Sequence, residues 1–365
     1  MPNLTEAQIL EALSHVIEPE LHKDLVSLNM IQDLKITDGN VSFTVMLTTP
    51  ACPLKGQIEE ETVSAVKAVS GVKNVIVTFD SRVPADARLM SKLNIGVRNA
   101  IAVASGKGGV GKSTVATNLA LSLSLDGAKV GLLDADIYGP NIPIMMGIET
   151  RPKAKDNRIQ PPEAHGIKLM SMGFLVDPNQ PLIWRGPMLH SAIRQFLQDV
   201  EWGDLDYLVI DLPPGTGDAS LSLAQSLSIT GVVVVTTPQK VAISDVIRSV
   251  AMFEQLNVSV LGVVENMSYF IAPDTGNRYD IFGHGGGQAM AEEIGLPFLG
   301  EIPLEPAVRE GGDSGTPIVV SDEDSTAAQS IRHLARTVAA AISVQNLTQP
   351  GNSQPVKGPN ISIIQ

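Results

Sequence analysis

A glycine-rich loop with two lysines occupies residues 106–114, where the sequence reads GKGGVGKST. Gly106, Gly111, Lys112 and Ser113 have the spacing of a P-loop, in which glycines let backbone N–H groups wrap the phosphates of a nucleotide. In such a loop the lysine reaches the β- and γ-phosphates, and the serine hydroxyl ligates Mg²⁺. We therefore assign nucleotide contacts to the whole loop: Gly106, Lys107, Gly108, Gly109, Val110, Gly111, Lys112, Ser113 and Thr114.

Aspartates that follow two apolar segments supply candidate magnesium and water-positioning groups. Asp211 ends the segment YLVID and precedes LPPGTGD, as expected of a Walker B carboxylate in the Mg²⁺ shell. Asp134 and Asp136 lie in LLDADIYGPN. We assign Asp134 and Ser113 to the metal together with Asp211, and Asp136 to the attacking water; a turn-capping role is the alternative for Asp136. Gly215 could place its backbone N–H on the γ-phosphate.

The loop needs a strand before it and a helix after it. Residues 100–104 form a short apolar strand candidate, and from there strands alternate with helices. This alternation predicts an α/β fold with a doubly wound, mostly parallel sheet, in which ligands bind at the carboxyl ends of the strands. The other predicted strands are 130–134, 168–172, 207–211, 231–237, 258–266 and 298–302.

The first 80 residues predict a separate small α-β-β-α-β domain. Thr5 and Gln8 have the spacing of a capping box. Alternating apolar residues on both sides of Asp38-Gly39 predict a β-hairpin. The predicted organisation is a small domain at 1–80, a linker at 81–98, a P-loop domain at 99–344 whose last helix covers about 325–343, and a disordered polar tail at 345–365.

Charge and composition exclude several classes of partner. The formal net charge of −13 argues against nucleic acid, whose binding requires clustered basic residues. No run of about 18 apolar residues predicts a membrane span, and the start shows no basic leader, so we expect a cytoplasmic protein. The single cysteine, Cys52, cannot form an intramolecular disulfide.

The second lysine of the loop, Lys107, is typical of one known group of ATPases. GKGGVGKST resembles the deviant Walker motif of the MinD, ParA and nitrogenase iron-protein group of ATPases. That resemblance implies ATP as the nucleotide. It also implies that Lys107 crosses a homodimer interface to the partner's nucleotide, as an arginine finger does. Lys107, Lys112 and Asp136 then form the catalytic set.

Further motifs narrow the resemblance. GKGGVGKST, DADIYGPNIP, WRGPM, IDLPPGTGD, TTPQ, ENMSYF, DIFGHGGG and IPLEPAVREGGDSG, in this order, resemble the Mrp/ApbC family of iron-sulfur cluster carrier ATPases. The small domain, with EPEL at 18–21 and TTPACP at 48–53, is similar to a domain of other cluster-assembly factors. The resemblance implies a nucleotide-gated homodimer that passes an iron-sulfur cluster to apo client proteins or assembly factors. It also implies adenine contacts from Asn266 and from the backbone at Pro303 and Leu304.

One departure from the family concerns the cluster. A C-x-x-C pair supplies the family's thiolates after the SYF motif, but this chain has Ala272 and Thr275 there. Asp274 and His284 offer ligands that suit a cluster poorly. Cys52 remains as the candidate iron-sulfur ligand, with its pKa lowered by a following helix. A small buried residue is the other interpretation of Cys52.

The sequence thus leaves two functions open. The first is a slow ATPase that carries an iron-sulfur cluster. The second is a cluster-free MinD- or ParA-like regulatory switch that binds a protein partner. The acidic charge and the absence of a basic amphipathic C-terminal helix disfavour the DNA-binding and membrane-binding versions of that switch.

Overall fold

The computed structural model describes residues 4–89, 96–156, 158–175 and 186–348. Its chain separates into two compact units. One comprises the described residues up to Pro84 together with those from Ser343 onward, and the other comprises Ala85–Ile342. None of the helices within the described residues combines the length and the hydropathy that a membrane span requires.

The smaller unit packs two helices on a three-stranded sheet. Thr5 caps the first helix through the predicted capping box with Gln8. Asp38 and Gly39 have φ of 52° and 84°, as a tight hairpin turn with two left-handed residues requires. The elements are α1 (Glu6–Leu13), β1 (Ile17–Glu18), β2 (Lys23–Asp24), β3 (Ile31–Thr37), β4 (Asn40–Leu47), α2 (Lys55–Lys67) and β5 (Asn74–Ser81).

The inner strands of the larger unit's central sheet are rich in Val, Ile, Leu and Ala because this sheet is covered on both faces. The strands of the larger unit are β6 (Val97–Ser105), β7 (Val130–Asp134), β8 (Lys153–Lys155), β9 (Arg158–Gln160), β10 (Glu163–Ala164), β11 (Ile167–Ser171), β12 (Leu205–Asp211), β13 (Gly231–Thr236), β14 (Val260–Asn266), β15 (Phe270–Ile271), β16 (Arg278–Tyr279) and β17 (Phe298–Ile302).

Helices cover the central sheet and connect its parallel strands. They are α3 (Lys112–Leu125), α4 (Ile142–Met145), α5 (Gly186–Gln198), α6 (Asp218–Ser226), α7 (Lys240–Gln255), α8 (Gly286–Glu293), α9 (Pro306–Ser314), α10 (Ile318–Ser321) and α11 (Thr326–Thr348).

Eight strands form the central sheet in the order β10-β11-β7-β12-β6-β13-β14-β17. All neighbours in this order are parallel except β10, which joins β11 as an antiparallel edge. The predicted doubly wound α/β fold is therefore confirmed. Register then brings the carboxyl ends together: Asp211 lies opposite Asp134 on one side and Val103 on the other.

Element boundaries differ from the sequence prediction in several places. β6 begins at Val97, inside the predicted linker, because its pairing with β12 starts with Leu205 opposite Val97. The last helix continues past the predicted boundary at 344 to Thr348, and Asn346 in that extension is buried. The rest of the predicted tail, 349–365, lies outside the described residues, as do Trp184 and Arg185 of the WRGPM motif.

Candidate nucleotide-binding site

Glycine is required at several positions of the phosphate loop. Gly109 and Gly111 have φ of 81° and 83°, in the left-handed region. A side chain at Gly111 would place its Cβ 2.1 Å from the amide nitrogen of Asn266, and one at Gly106 would meet the backbone of Asp245 at 2.4 Å. By contrast, a Cβ at Gly108 would meet open space. The loop is thus held tightly at Gly106 and Gly111, while Gly108 and Gly109 border open space.

Asn266 supports this loop from the end of β14. Its buried Nδ2 donates a hydrogen bond to the carbonyl of Val110 at 2.9 Å. The expected base-reading amide therefore has one N–H committed to the loop, which leaves its second N–H and its carbonyl oxygen for an adenine edge.

The backbone after β17 offers fewer groups for adenine recognition than the sequence predicted. Leu304 donates its N–H to the carbonyl of Tyr269 at 2.7 Å, and Pro303 has no N–H to offer. Contacts from Pro303 and Leu304 to a base are thereby reduced to their carbonyl oxygens.

Lys112, Ser113 and Asp211 form a buried polar cluster directly under the loop. The ammonium of Lys112 lies 2.6 Å from Oδ1 of Asp211, and the hydroxyl of Ser113 donates to Oδ2 at 2.6 Å. Asp211 is fully buried, and Lys112 is only 6% exposed. Thr114, in the first turn of α3, accepts a hydrogen bond from Asn118 at its carbonyl. The structure thus brings together the predicted phosphate lysine, the magnesium hydroxyl and the Walker B carboxylate.

Asp136 lies at the edge of this cluster. One carboxylate oxygen is 3.6 Å from the ammonium of Lys112. The other accepts from the backbone N–H groups of Tyr138 and Gly139, at 3.0 and 3.3 Å. Asp136 therefore caps its turn, as the alternative interpretation expected, and it also lies near the phosphate lysine; its role toward an attacking water stays a prediction.

Asp134 is buried beside Asp211, and protein donors surround it. Ser171 donates to it at 2.8 Å and the Ile142 N–H at 3.3 Å, while the N–H of Asp136 donates to its other oxygen at 3.2 Å. Burial, and then the nearby charge of Asp211, raise the pKa of Asp134 to about 8. Burial also raises the pKa of Asp211, although Lys112 and Ser113 oppose that shift. Because Asp211 has the ammonium, we assign the negative charge to Asp211 and the proton to Asp134.

Sequence reasoning missed Ser171, the partner that anchors Asp134. Its position at the end of β11 becomes informative only once the strand order places β11 next to β7, where Ser171 lies opposite Asp134 in the parallel register. Gly215 also differs from expectation. Its N–H donates to the carbonyl of Ser105 at 2.8 Å, so it is not available for a γ-phosphate in this conformation.

Lys107 contrasts with Lys112. Its side chain is half-buried, and within the described part of the chain no carboxylate oxygen lies within 4 Å of its ammonium. Its backbone is held, since the hydroxyl of Ser105 donates to its carbonyl at 2.9 Å. The loop thus presents one neutralised lysine and one lysine without an ion pair.

The segment that replaces the family's cysteine pair closes without metal. β15 and β16 pair as a short hairpin. Inside it the N–H of Ala272 donates to Asn277 at 2.9 Å, and the N–H of Gly276 donates to Ala272 at 2.8 Å. Backbone hydrogen bonds therefore close this hairpin, and Thr275 lies exposed in the turn.

The surroundings of Cys52 in the smaller unit contradict the expectation of a lowered thiol pKa. Burial raises the pKa of its thiol to about 11, and the charges of Glu20 and Glu18 add to that rise. A backbone hydrogen bond at Leu54 and the charge of Lys55 act in the opposite direction but are weaker. The predicted lowering by the helix start is therefore wrong, because desolvation of the thiolate dominates.

Known proteins match both units. A family profile described as the NUBPL iron-transfer P-loop NTPase matches residues 96–339, and one for iron-sulfur cluster assembly proteins matches residues 6–79. The chain belongs to the iron-transfer P-loop NTPases. An iron-sulfur cluster carrier protein of Synechocystis sp. is 52% identical over 351 residues, which cover 94% of this chain and 99% of the relative. The resemblance inferred from the motifs is thus confirmed, and the family implies nucleotide binding and ATPase activity.

Solved structures agree with this assignment. The nucleotide-binding protein of Archaeoglobus fulgidus, solved in complex with ADP, is 41% identical, with a TM-score of 0.56 over 62% of this chain and 90% of that one. The cell division ATPase MinD of Pyrococcus furiosus is 22% identical, with a TM-score of 0.51 over 66% of this chain and 98% of that one, and shares the fold.

The protonated Asp134 predicts a pH-dependent stability in the absence of nucleotide. In the folded protein Asp134 keeps its proton up to about pH 8, whereas the unfolded chain releases it near 3.8. Between these values the folded state binds more protons, so the free energy of unfolding falls as pH rises, by at most about 1.4 kcal/mol per pH unit. Urea unfolding across this range should show a shallower fall for Asp134→Asn than for wild type.

The control is Asp156→Asn, which makes the same chemical change at an exposed turn residue. Its unfolding midpoints should follow the wild-type pH dependence. Equal slopes for the two variants would show that Asp134 is ionised in the folded protein.

Proposed function

We propose that the protein is an ATP-hydrolysing iron-sulfur cluster carrier that works as a nucleotide-gated homodimer. The cluster of Lys112, Ser113 and Asp211 beneath the P-loop is the observation that carries the proposal. A buried ammonium next to a hydroxyl-carboxylate pair is the donor set that a magnesium triphosphate requires.

The nucleotide-free contacts also suggest how binding begins. Lys112 and Ser113 both contact Asp211, so Asp211 holds the two groups in place. With Mg-ATP bound, Lys112 would turn to the phosphates, while the Ser113 hydroxyl would ligate the ion and Asp211 would complete its shell. Lys112 and Ser113 therefore already lie in the site, and the main change on binding would be the turn of Lys112 from Asp211 to the phosphates.

The fit of the loop to phosphate rests on its backbone. Left-handed glycines let successive backbone N–H groups of a P-loop face the phosphates, and Gly109 and Gly111 have that conformation here. α3 begins at Lys112, which adds the positive end of a helix dipole. Asp136, at 3.6 Å from Lys112, is close enough to orient a water that attacks the γ-phosphate.

The homodimer follows from Lys107. This lysine lacks an ion pair within the described residues, and it is followed in the loop by Gly108 and Gly109, which border open space. We infer that its partner is the nucleotide of a second subunit. Hydrolysis would then be slow in the monomer and would act as a switch, with the ATP state closing the dimer and hydrolysis releasing it. Apo client proteins or assembly factors of the cytoplasm would receive the cluster.

Replacement of the loop lysines separates binding from hydrolysis. Lys112→Ala removes a charged hydrogen bond worth about 1.5–3 kcal/mol, so ATP affinity should fall at least about tenfold. Lys107→Ala should bind ATP within about twofold of wild type but hydrolyse it at least about tenfold more slowly. Equilibrium ATP binding and single-turnover hydrolysis measure the two effects, and each variant is the control for the other. Full hydrolysis by Lys107→Ala would refute the lysine in trans.

Cluster binding depends on the thiol of Cys52, since Ala272 and Thr275 offer none. A dimer would supply two such thiols, and a partner protein or small thiols would complete the shell. Because burial raises the pKa of Cys52 to about 11, coordination must displace a proton, and iron uptake should rise with pH.

Anaerobic reconstitution with iron and sulfide tests this assignment. Wild type should become coloured and retain iron, more so at higher pH, and Cys52→Ala should not. Colour that persists in Cys52→Ala would remove the thiol assignment.

A colourless, iron-free wild type would favour the second candidate function, a cluster-free regulatory switch with a protein partner. One observation favours that alternative: the hairpin at Ala272 closes through its own backbone, with no cysteine in it.

A further inference from the structure

A histidine and two glutamates meet at one end of the central sheet. Glu265 in β14 and Glu301 in β17 are register partners on adjacent parallel strands. His284 comes from the loop before α8, and one ligand atom from each of the three residues lies within 4.8 Å of the others. The proposed nucleotide chemistry uses none of these side chains.

The loop that carries His284 is fixed on Glu265. One oxygen of this fully buried carboxylate accepts from the hydroxyl of Ser268 at 2.7 Å and from the Gly285 N–H at 3.3 Å. Its other oxygen accepts from the Gly287 N–H at 2.5 Å. The backbone that follows His284 is thus held at Gly285 and Gly287, so less of this loop remains for a ligand to order.

The position between these groups already holds a positive charge. Nη2 of Arg278 lies 2.6 Å from Nδ1 of His284 and 3.6 Å from a carboxylate oxygen of Glu301. A guanidinium has only donors, so Nδ1 must be the acceptor and carries a lone pair directed at the cation. The other carboxylate oxygen of Glu301 is 3.5 Å from the same Nδ1. A lone pair and a carboxylate therefore converge where a metal would be bound.

We propose that Glu265, His284 and Glu301 bind one divalent transition-metal ion of the Fe²⁺ and Zn²⁺ class, and that Arg278 occupies the position until the metal displaces it. One imidazole nitrogen and two carboxylates suit these ions, whereas Mg²⁺ and Ca²⁺ prefer oxygen alone. The site is independent of Cys52 and of cluster binding.

Displacement of Arg278 is feasible because the side chain is half-exposed and has other partners. Its Nε pairs with Asp280 at 3.1 Å, and its guanidinium lies over the ring of Tyr269 at 4.1 Å. Exposed ion pairs of this kind are weak. The arginine can therefore leave the site and keep part of its contacts.

The test is a titration of the full-length protein with Co²⁺, a visible probe for Zn²⁺ and Fe²⁺ sites, in a Cys52→Ala background that removes the thiol. His284→Ala should weaken Co²⁺ binding at least about tenfold, on the scale of lost metal-site contacts. Arg278→Ala should strengthen it, because the competing cation is gone. His15→Ala, at an exposed histidine of the smaller unit, should leave it unchanged.

Several results would overturn the site. One is the absence of Co²⁺ binding by both the Cys52→Ala protein and its Arg278→Ala variant. The others are equal Co²⁺ affinities of His284→Ala and His15→Ala, or weaker Co²⁺ binding by Arg278→Ala than by its parent. If thermal melting shows that His284→Ala is unfolded, Glu301→Gln replaces it as the test of the metal site. That second variant should lose Co²⁺ binding while keeping the melting temperature of its parent, and unchanged Co²⁺ affinity in it would also overturn the site.

Discussion

The buried contact between Lys112 and Asp211 is the interaction on which the site depends. A charge removed from water is costly unless it is paired, and breaking such a pair from one side is strongly destabilising. The sheet provides the pairing, because β6 leads directly into the loop and β12 ends next to it at Asp211. Lys112 is held at the start of α3, where it and the helix dipole both attract an anion.

A second constraint comes from the parallel register. Asp134 and Asp211 lie side by side at the ends of β7 and β12, and two neighbouring buried carboxylates cannot both be ionised without cost. Ser171 and backbone N–H groups donate hydrogen bonds to Asp134, whereas Lys112 forms an ion pair with Asp211. This division gives each aspartate a different environment and leaves Asp211, with its charge, next to the Ser113 hydroxyl.

Much of this arrangement was predictable from the sequence, because spacing fixes local geometry. The P-loop glycines, the alternation of strands and helices and the Asp-Gly hairpin each follow from residue types with one strong conformational preference. Partners distant in sequence were not predictable. The amide of Asn266 that holds Val110, the hydroxyl of Ser171 and the proximity of Glu265, Glu301 and His284 depend on strand order. The pKa of Cys52 was mispredicted because burial cannot be read from a helix start.

The central claim is that Asp211 and Ser113 form a magnesium site beneath a phosphate-binding loop. The most direct measurement is calorimetric titration of ATP with and without Mg²⁺, on wild type and on Asp211→Asn. The account predicts that Mg²⁺ strengthens ATP binding by the wild type and has far less effect on the variant. Absence of ATP binding by the wild type, or the same dependence on Mg²⁺ in both proteins, would contradict it.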